Sequence, residues 1–260
     1  MNDYLENIRK GLPINYTAFL KALPEHARRR HRDVFQTRKV SANRWLVTVA
    51  DNAAFAELAA DLIAPVSRIQ AAHQGNSHRH GTGVSFLLAY HQAIPSSRPD
   101  TLVITGEGVD IGFRPQSDVL IIENERNFYG YRPMLSFASE ATGVPLTLAS
   151  CDVLLGGGNR ITQSAVVNWL AGYQRVFCAF DYDAGGLQMF ATIAGKLGDR
   201  AQFVQPADWR PWLAQFRMAP KSTERFTKAV ALAEDLGFVS LAQAFRATGK
   251  FMEQEMILDD

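Results

Sequence analysis

The chain has 260 residues, 47% of them hydrophobic and 20% charged, and a formal net charge of +1. That length makes one large domain or two small ones, with enough apolar content for a sizeable core. A near-neutral total excludes a global field that would draw the chain to nucleic acid or membrane, so any polyanion has to be met by local patches. Cys151 and Cys178 both sit in apolar, strand-like runs. They read as reduced core residues of a cytoplasmic protein, not as a disulfide frame. The opening "MNDYLENIRKG" has no apolar signal core. No uninterrupted apolar run approaches the ~18 residues of a membrane span, so no membrane partner is expected.

In chain order, residues 1–100 are mixed. "YTAFLKALPEHARRRHRDVF" predicts helix interrupted near Pro24, "NRWLVTVAD" a strand, and "NAAFAELAADLIAP" an apolar-faced helix ended by Pro65. "QGNSHRHGTG" reads as loop and "VSFLLAYHQA" as a short apolar element. "PSSRPD", residues 95–100, is the linker candidate. The expected division is therefore an N-terminal DNA- or partner-binding domain over 1–100 and a catalytic domain with a helical extension over 101–260.

From residue 101 the pattern changes. "TLVITGEGVDIGF" predicts two short strands. Strand and helix then alternate: "DVLIIEN" and "FYGYRPMLSFASEATG", "CDVLLGGG" and "TQSAVVNWLAGY", "RVFCAFD" and "GLQMFATIAGKLG", "AQFVQP" and "ADWRPWLAQF". Continuous apolar strands between amphipathic helices predict an α/β fold, a mostly parallel sheet covered on both faces. "STERFTKAVALAEDLG" and "SLAQAFRATG" predict further helices before the tail "KFMEQEMILDD".

An open parallel sheet carries its working residues just past the carboxyl ends of its strands. Glu123, Asn124 and Glu125 stand there after one strand, Gly156, Gly157 and Gly158 after the next, and Asp181 and Asp183 after the third. If those strands are neighbours, the carboxylates crowd and repel one another, and a divalent cation relieves the repulsion. Oxygen ligands of this kind suit Mg²⁺ or Mn²⁺. Asp181 and Asp183 alone would also serve as a helix cap and a turn. A haloacid-type phosphatase also starts from an apolar strand and D-x-D, but Thr or Val after D-x-D-G is missing from "DYDAGG".

"VLIIENERNF" and "FCAFDYDAGGL", with "LLGGG" between them, resemble the Toprim domain, the metal-binding fold of topoisomerases, DnaG-type primases and several DNA nucleases. That fold is Rossmann-like, and its pattern is a Glu after one strand and D-x-D after a later one, matched by Glu123, Asp181 and Asp183. More narrowly, "IENE", "FDYDAGG" and "MEQE" resemble the nuclease subunit (JetD or MksG) of Wadjet and MksBEF-type condensin-like plasmid-defence systems, related in architecture to the topoisomerase VI A subunit. The resemblance covers about residues 118–255.

It implies a divalent-metal-dependent DNA endonuclease, nucleoid-associated, working with an SMC-like MksB/MksE/MksF-type complex in plasmid defence or chromosome maintenance, and forming a homodimer. Phosphodiester hydrolysis needs an activated water, a charge clamp on phosphoryl oxygens and help for the leaving oxygen, all of which divalent cations can supply. Asp181 and Asp183 are then metal ligands, and Glu123 is a ligand or the general acid/base. Glu125, Glu253 and Glu255 are candidates to complete the site, the last two only if the tail folds back over the sheet. Two other readings stand beside this one: a topoisomerase VI A-like transesterase with a Tyr nucleophile, and a non-catalytic DNA-binding scaffold.

Two clusters lie in the first hundred residues. Arg28, Arg29, Arg30, Arg32, Arg38 and Lys39 form a basic stretch with Asp33 against it. It is either a DNA-contacting arm or a solvated helix face. His73, His78 and His80 hint at metal, but with no Cys nearby the loop reads better as a contact to DNA or a partner. A transesterase would draw its nucleophile from Tyr4, Tyr16 or Tyr90, and Tyr90 looks like core. By analogy with the resembled family, a winged-helix-like module would suit the N-terminal domain.

Overall fold

The computed structural model describes residues 2–23, 25–62, 83–93 and 98–257. The chain divides into two compact units, Met1–Thr82 and Gly83–Asp260. The division thus falls earlier than the "PSSRPD" stretch, part of which lies outside the described residues. The reason is pairing. "VSFLLAY" forms β3 (Val84–Tyr90), which joins the large sheet between β4 and β7 and so belongs to the second unit.

In the first unit, α1 (Asn2–Arg9), α2 (Tyr16–Ala22), α3 (Glu25–Arg29) and α4 (His31–Val34) precede a hairpin of β1 (Phe35–Ser41) and β2 (Arg44–Val49), and α5 (Asn52–Leu62) comes after it. The break between α2 and α3 falls at the predicted place. Strand β1 was not expected, because after Phe35 all its residues are exposed and no burial alternation marks it. Ile14 and Trp45 exchange backbone hydrogen bonds at 2.9 and 2.8 Å, an isolated bridge that ties the segment before α2 to the two-stranded hairpin. Phe19, Phe35, Phe55, Leu23 and Val47 fill the core beneath it.

The second unit is built on a seven-stranded mixed sheet in the order β5-β4-β3-β7-β6-β8-β9. Strands β3, β4 (Asp100–Thr105) and β5 (Val109–Asp110) are antiparallel. Strands β6 (Asp118–Ile122), β7 (Cys151–Leu155), β8 (Arg175–Ala179) and β9 (Ala201–Phe203) are parallel. Side chains alternate between two cores. Val119, Ile121, Val176 and Cys178 face one, and Leu120, Ile122, Phe177 and Ala179 the other. Both faces are covered, so the strands read as unbroken apolar runs. Helices α6 (Glu125–Tyr129) and α7 (Tyr131–Thr142) follow β6, α8 (Ser164–Leu170) follows β7, and α9 (Ala184–Leu197) follows β8. Helices α10 (Thr223–Asp235) and α11 (Val239–Thr248) lead to a short 3₁₀ turn at Gln254–Ile257. Both cysteines are free and buried, as expected. No helix among the described residues is long and apolar enough to cross a membrane.

At the amino end of the parallel strands, Arg175 grips buried Asp118 with two hydrogen bonds of 2.9 and 2.7 Å. Asp118 is 1% exposed and Arg175 39%. Removing the arginine strands a carboxylate that water hardly reaches. Arg175→Met should cost about 2 kcal/mol, less than a fully buried pair because the guanidinium is half in solvent, and a urea midpoint at unchanged m-value would record it.

Candidate metal centre at the carboxyl edge

Strands β6 and β8 are adjacent, parallel and in register, with Ile122 opposite Ala179. The residues just beyond them therefore meet. Glu123 donates its N–H to Ala179 O at 3.0 Å, and its Oε2 accepts from the Asp181 N–H at 3.1 Å. The chain then stays extended. Tyr182 turns fully into the core, its hydroxyl donating to Val204 O at 3.0 Å. Residues two apart on an extended chain share a side, so Asp181 and Asp183 lie together on the other one.

Asp183 caps α9. Its Oδ1 accepts from the Gly185 and Gly186 N–H groups at 2.7 and 2.8 Å. These amides are taken by protein, so the helix start holds Asp183 rather than presenting them to a phosphate. Gly186 is required by space: a Cβ there would stand 2.1 Å from Asp181 O. The glycine run after β7 also meets this edge. Gly156 N–H donates to Ile122 O at 2.7 Å, and a Cβ on Gly156 would come within 3.3 Å of the Ile121 side chain.

Segment 251–257 does fold back over the sheet. Met252 and Tyr182 exchange backbone hydrogen bonds, and the Gln254 N–H donates to Asp181 Oδ1 at 2.8 Å. The Asn124 side-chain amide donates to Glu255 Oε1. Of the tail glutamates, only Glu255 joins the cluster. Glu253 and Glu125 are exposed, and the side-chain hydrogen bonds that tie this edge together run through Glu123, Asn124, Asp181 and Glu255. Glu125 sits in the first turn of α6. Asn124 stands among the strand-end residues and Gln254 within "MEQE", but sequence reasoning assigned neither a role.

The electrostatics reflect burial and crowding. Burial raises the Asp181 carboxyl, the Gln254 N–H offsets part of this, and the charges of Glu123, Glu255 and Asp183 raise it further, to about 7 from 3.8. Burial also raises Glu123, against the hydrogen bond from Asp181 N–H, with Asp183 and Glu255 adding to the rise. Among the described residues the second oxygens of Glu123, Asp181 and Asp183 accept no hydrogen bond. As they stand, no three His, Cys, Asp or Glu side chains among the described residues are gathered closely enough to hold a metal ion. In kind, the donor set fits a hard divalent cation: four carboxylates, two of them carrying raised pKa values that a positive charge would reverse.

His73, His78 and His80 lie outside the described residues. In the first unit, Arg28 is a structural group: its guanidinium donates to Leu20 O, Lys21 O and Leu23 O at 2.9, 3.0 and 3.0 Å and closes the end of α2. Arg29 pairs with Glu25. Arg30, Arg32, Arg38 and Lys39 are exposed, Lys39 lying 5.9 Å over the Trp45 ring. Tyr16 and Tyr90 are buried, and Tyr4 packs on Phe19 at 5.6 Å.

No protein-family model matches the chain, and no curated protein matches it.

Proposed function

We propose that the chain is a divalent-metal-dependent DNA endonuclease of the Toprim kind. The observation that carries this reading is the meeting of Glu123 and Asp181 at two adjacent parallel strand ends, with Asp183 on the same side and Asp181 pushed up to about 7. Carboxylates gathered at that cost to the fold are a mark of function. Asp181, Asp183, Glu123 and Glu255 would hold Mg²⁺ or Mn²⁺. When bound, the cation supplies positive charge against the phosphoryl oxygens and makes water a better nucleophile. The chain's own part is positional. Asp183 is fixed by two backbone N–H groups, Asp181 by one, and Glu123 by the Asp181 N–H. Burial favours a proton on Glu123 nearer to neutral pH than on a solvated glutamate, which suits a group that exchanges protons with water or a leaving oxygen.

The sequential order of the first unit, α1, the Ile14 bridge, α2, α3–α4 and a hairpin, supports a winged-helix-like reading. On that reading Arg30 and Arg32 on or beside the third helical element, and Arg38 and Lys39 on the hairpin, meet phosphates. Arg38→Ala with Lys39→Ala should flatten the salt dependence of duplex binding by about 2 in the log–log slope. Arg28→Ala should leave that slope alone and cost about 1 kcal/mol of stability through the lost cap. Fluorescence anisotropy across a salt series, with a thermal melt beside it, separates the two. Action beside a condensin-like MksB/MksE/MksF-type complex, and homodimer formation, extend the reading on the strength of the resemblance.

Hydrolysis is favoured over transesterification because Tyr4, Tyr16 and Tyr90 are all packed against aromatic neighbours. Incubation of supercoiled plasmid with Mn²⁺ or Mg²⁺, with and without the partner complex, tests the proposal. Free nicked or linear products support it. Ends carrying covalent protein point to the transesterase, and intact plasmid in every arm to the scaffold.

A further inference from the structure

Segment 251–257 is fastened first by Phe251 and Met218, which exchange backbone hydrogen bonds at 2.9 and 3.1 Å, and then by three polar ties that each end on or beside a carboxylate of the candidate centre. Met252 and Tyr182 exchange backbone hydrogen bonds of 3.0 and 3.3 Å, between Asp181 and Asp183. The Gln254 N–H reaches Asp181 Oδ1. The third tie is Asn124 to Glu255. Asn124 works in two directions at once. Its Oδ1 accepts from the Arg126 and Asn127 N–H groups at 2.7 and 3.3 Å and so starts α6, while its amide nitrogen holds Glu255. Asn124 is next to Glu123 in the chain, so the carboxylate that follows β6 at the cluster adjoins the residue that fastens the returning segment.

We propose that Asn124 is a positioning residue for cation binding: it holds Glu255 beside the cluster, so docking of segment 251–257 and occupation of the site stabilise each other. The inference rests on the reading of the cluster as a cation site. Glu255 stands among three other carboxylates, and without a donor their repulsion would favour its leaving. The Asn124 amide opposes that. A cation drawing on Glu255 would oppose it further. Two events that each favour the same docked state must raise one another's equilibrium constant by the same factor. Residues that orient metal ligands without touching the metal are typically worth about 10–100-fold in affinity.

The two duties of Asn124 can be separated. Ser caps a helix as well as Asn does, but is too short to reach Glu255 and adds no charge. Glu255→Gln keeps an oxygen for Asn124 and loses the charge. The test is Mn²⁺ affinity by calorimetry, joined to hydrogen exchange of the Met252 and Gln254 amides, on the full chain. For the wild type, Mn²⁺ should slow exchange of both amides. In Asn124→Ser those amides should exchange faster without metal, α6 should keep its protection, and Mn²⁺ should bind about tenfold more weakly. Glu255→Gln should keep the amides protected without metal and lose Mn²⁺ affinity. If Asn124→Ser binds Mn²⁺ as tightly as the wild type, the proposal is overturned while the cation site stands. If the wild type binds no Mn²⁺, both fall together.

Discussion

Asp181→Asn is expected to abolish metal-dependent DNA cleavage and, in the same protein, to raise the stability of the metal-free fold. On the proposed function, the first effect comes from loss of a cation ligand. The second comes from the cost of keeping Asp181 charged where it is. Its carboxyl is raised from 3.8 to about 7 on folding, first by burial and then by Glu123, Glu255 and Asp183. An acid whose folded value is raised leaves stability intact below its unfolded value and loses it as pH climbs through the folded one. The metal-free wild type should therefore weaken between about pH 4 and 7 and stay weakened above.

At ~1.4 kcal/mol for each pH unit the ceiling is near 4 kcal/mol; residual hydration and coupling among the carboxylates bring the expected gain for Asn to about 1–2 kcal/mol at pH 8. Asn retains an oxygen for the Gln254 N–H, so the docked segment should persist. Thermal melts at pH 5 and pH 8 check the sign. The gain of the variant over the wild type should be larger at pH 8, and excess Mg²⁺ or Mn²⁺ should shrink it by stabilising the wild type alone. A variant that is less stable than the wild type at pH 8 without metal would contradict the assigned strain.

Gly186→Ala should do the greatest structural damage of any single-methyl change near the site. A Cβ at this position would lie 2.1 Å from Asp181 O and 3.1 Å from Asp181 N. The obstacle is backbone and cannot swing aside, so the turn carrying Asp181, Tyr182 and Asp183 must move. A loss of about 3 kcal/mol is expected, against the helix-propensity gain of up to ~1 kcal/mol that Ala normally brings. Gly195 in the same helix is the control, since a Cβ there meets nothing within 4 Å. Gly195→Ala should be stabilising by about 0.5–1 kcal/mol. Urea unfolding of the two variants should thus move in opposite directions. The proposed cleavage activity should vanish in Gly186→Ala even where it remains folded, because Asp181 and Asp183 sit on the displaced turn.

How much the sequence discloses depends on the range of the interaction. The parallel strands are legible because burial on both faces leaves unbroken apolar runs such as "DVLII" and "RVFCA". The acidic edge is legible because strand ends converge in such a sheet, whichever residues occupy them. The partner of "VSFLLAY" is not, since a short apolar run does not say which strand it will pair with. Arg28 illustrates a different obstacle: composition cannot tell a guanidinium that closes a helix from one that faces solvent. Gln254 and Asn124 act across 73 and 131 residues of chain, one of them through a backbone N–H that every residue type but proline has. The tail glutamates differ for the same reason. The 3₁₀ turn at Gln254–Ile257 sends Glu255 inward and leaves Glu253 outside, and nothing in "MEQE" distinguishes them.

The central claim is that Glu123, Asp181, Asp183 and Glu255 hold a divalent cation. Direct titration of Mn²⁺, monitored by calorimetry or by the loss of free-ion paramagnetic signal, tests it without requiring DNA or a partner complex. The account predicts saturable binding by the wild type and by Glu253→Gln, whose side chain lies outside the cluster, and affinity at least about tenfold weaker in Asp181→Asn. Equal binding by the wild type and Asp181→Asn, or no binding by the wild type, would contradict it.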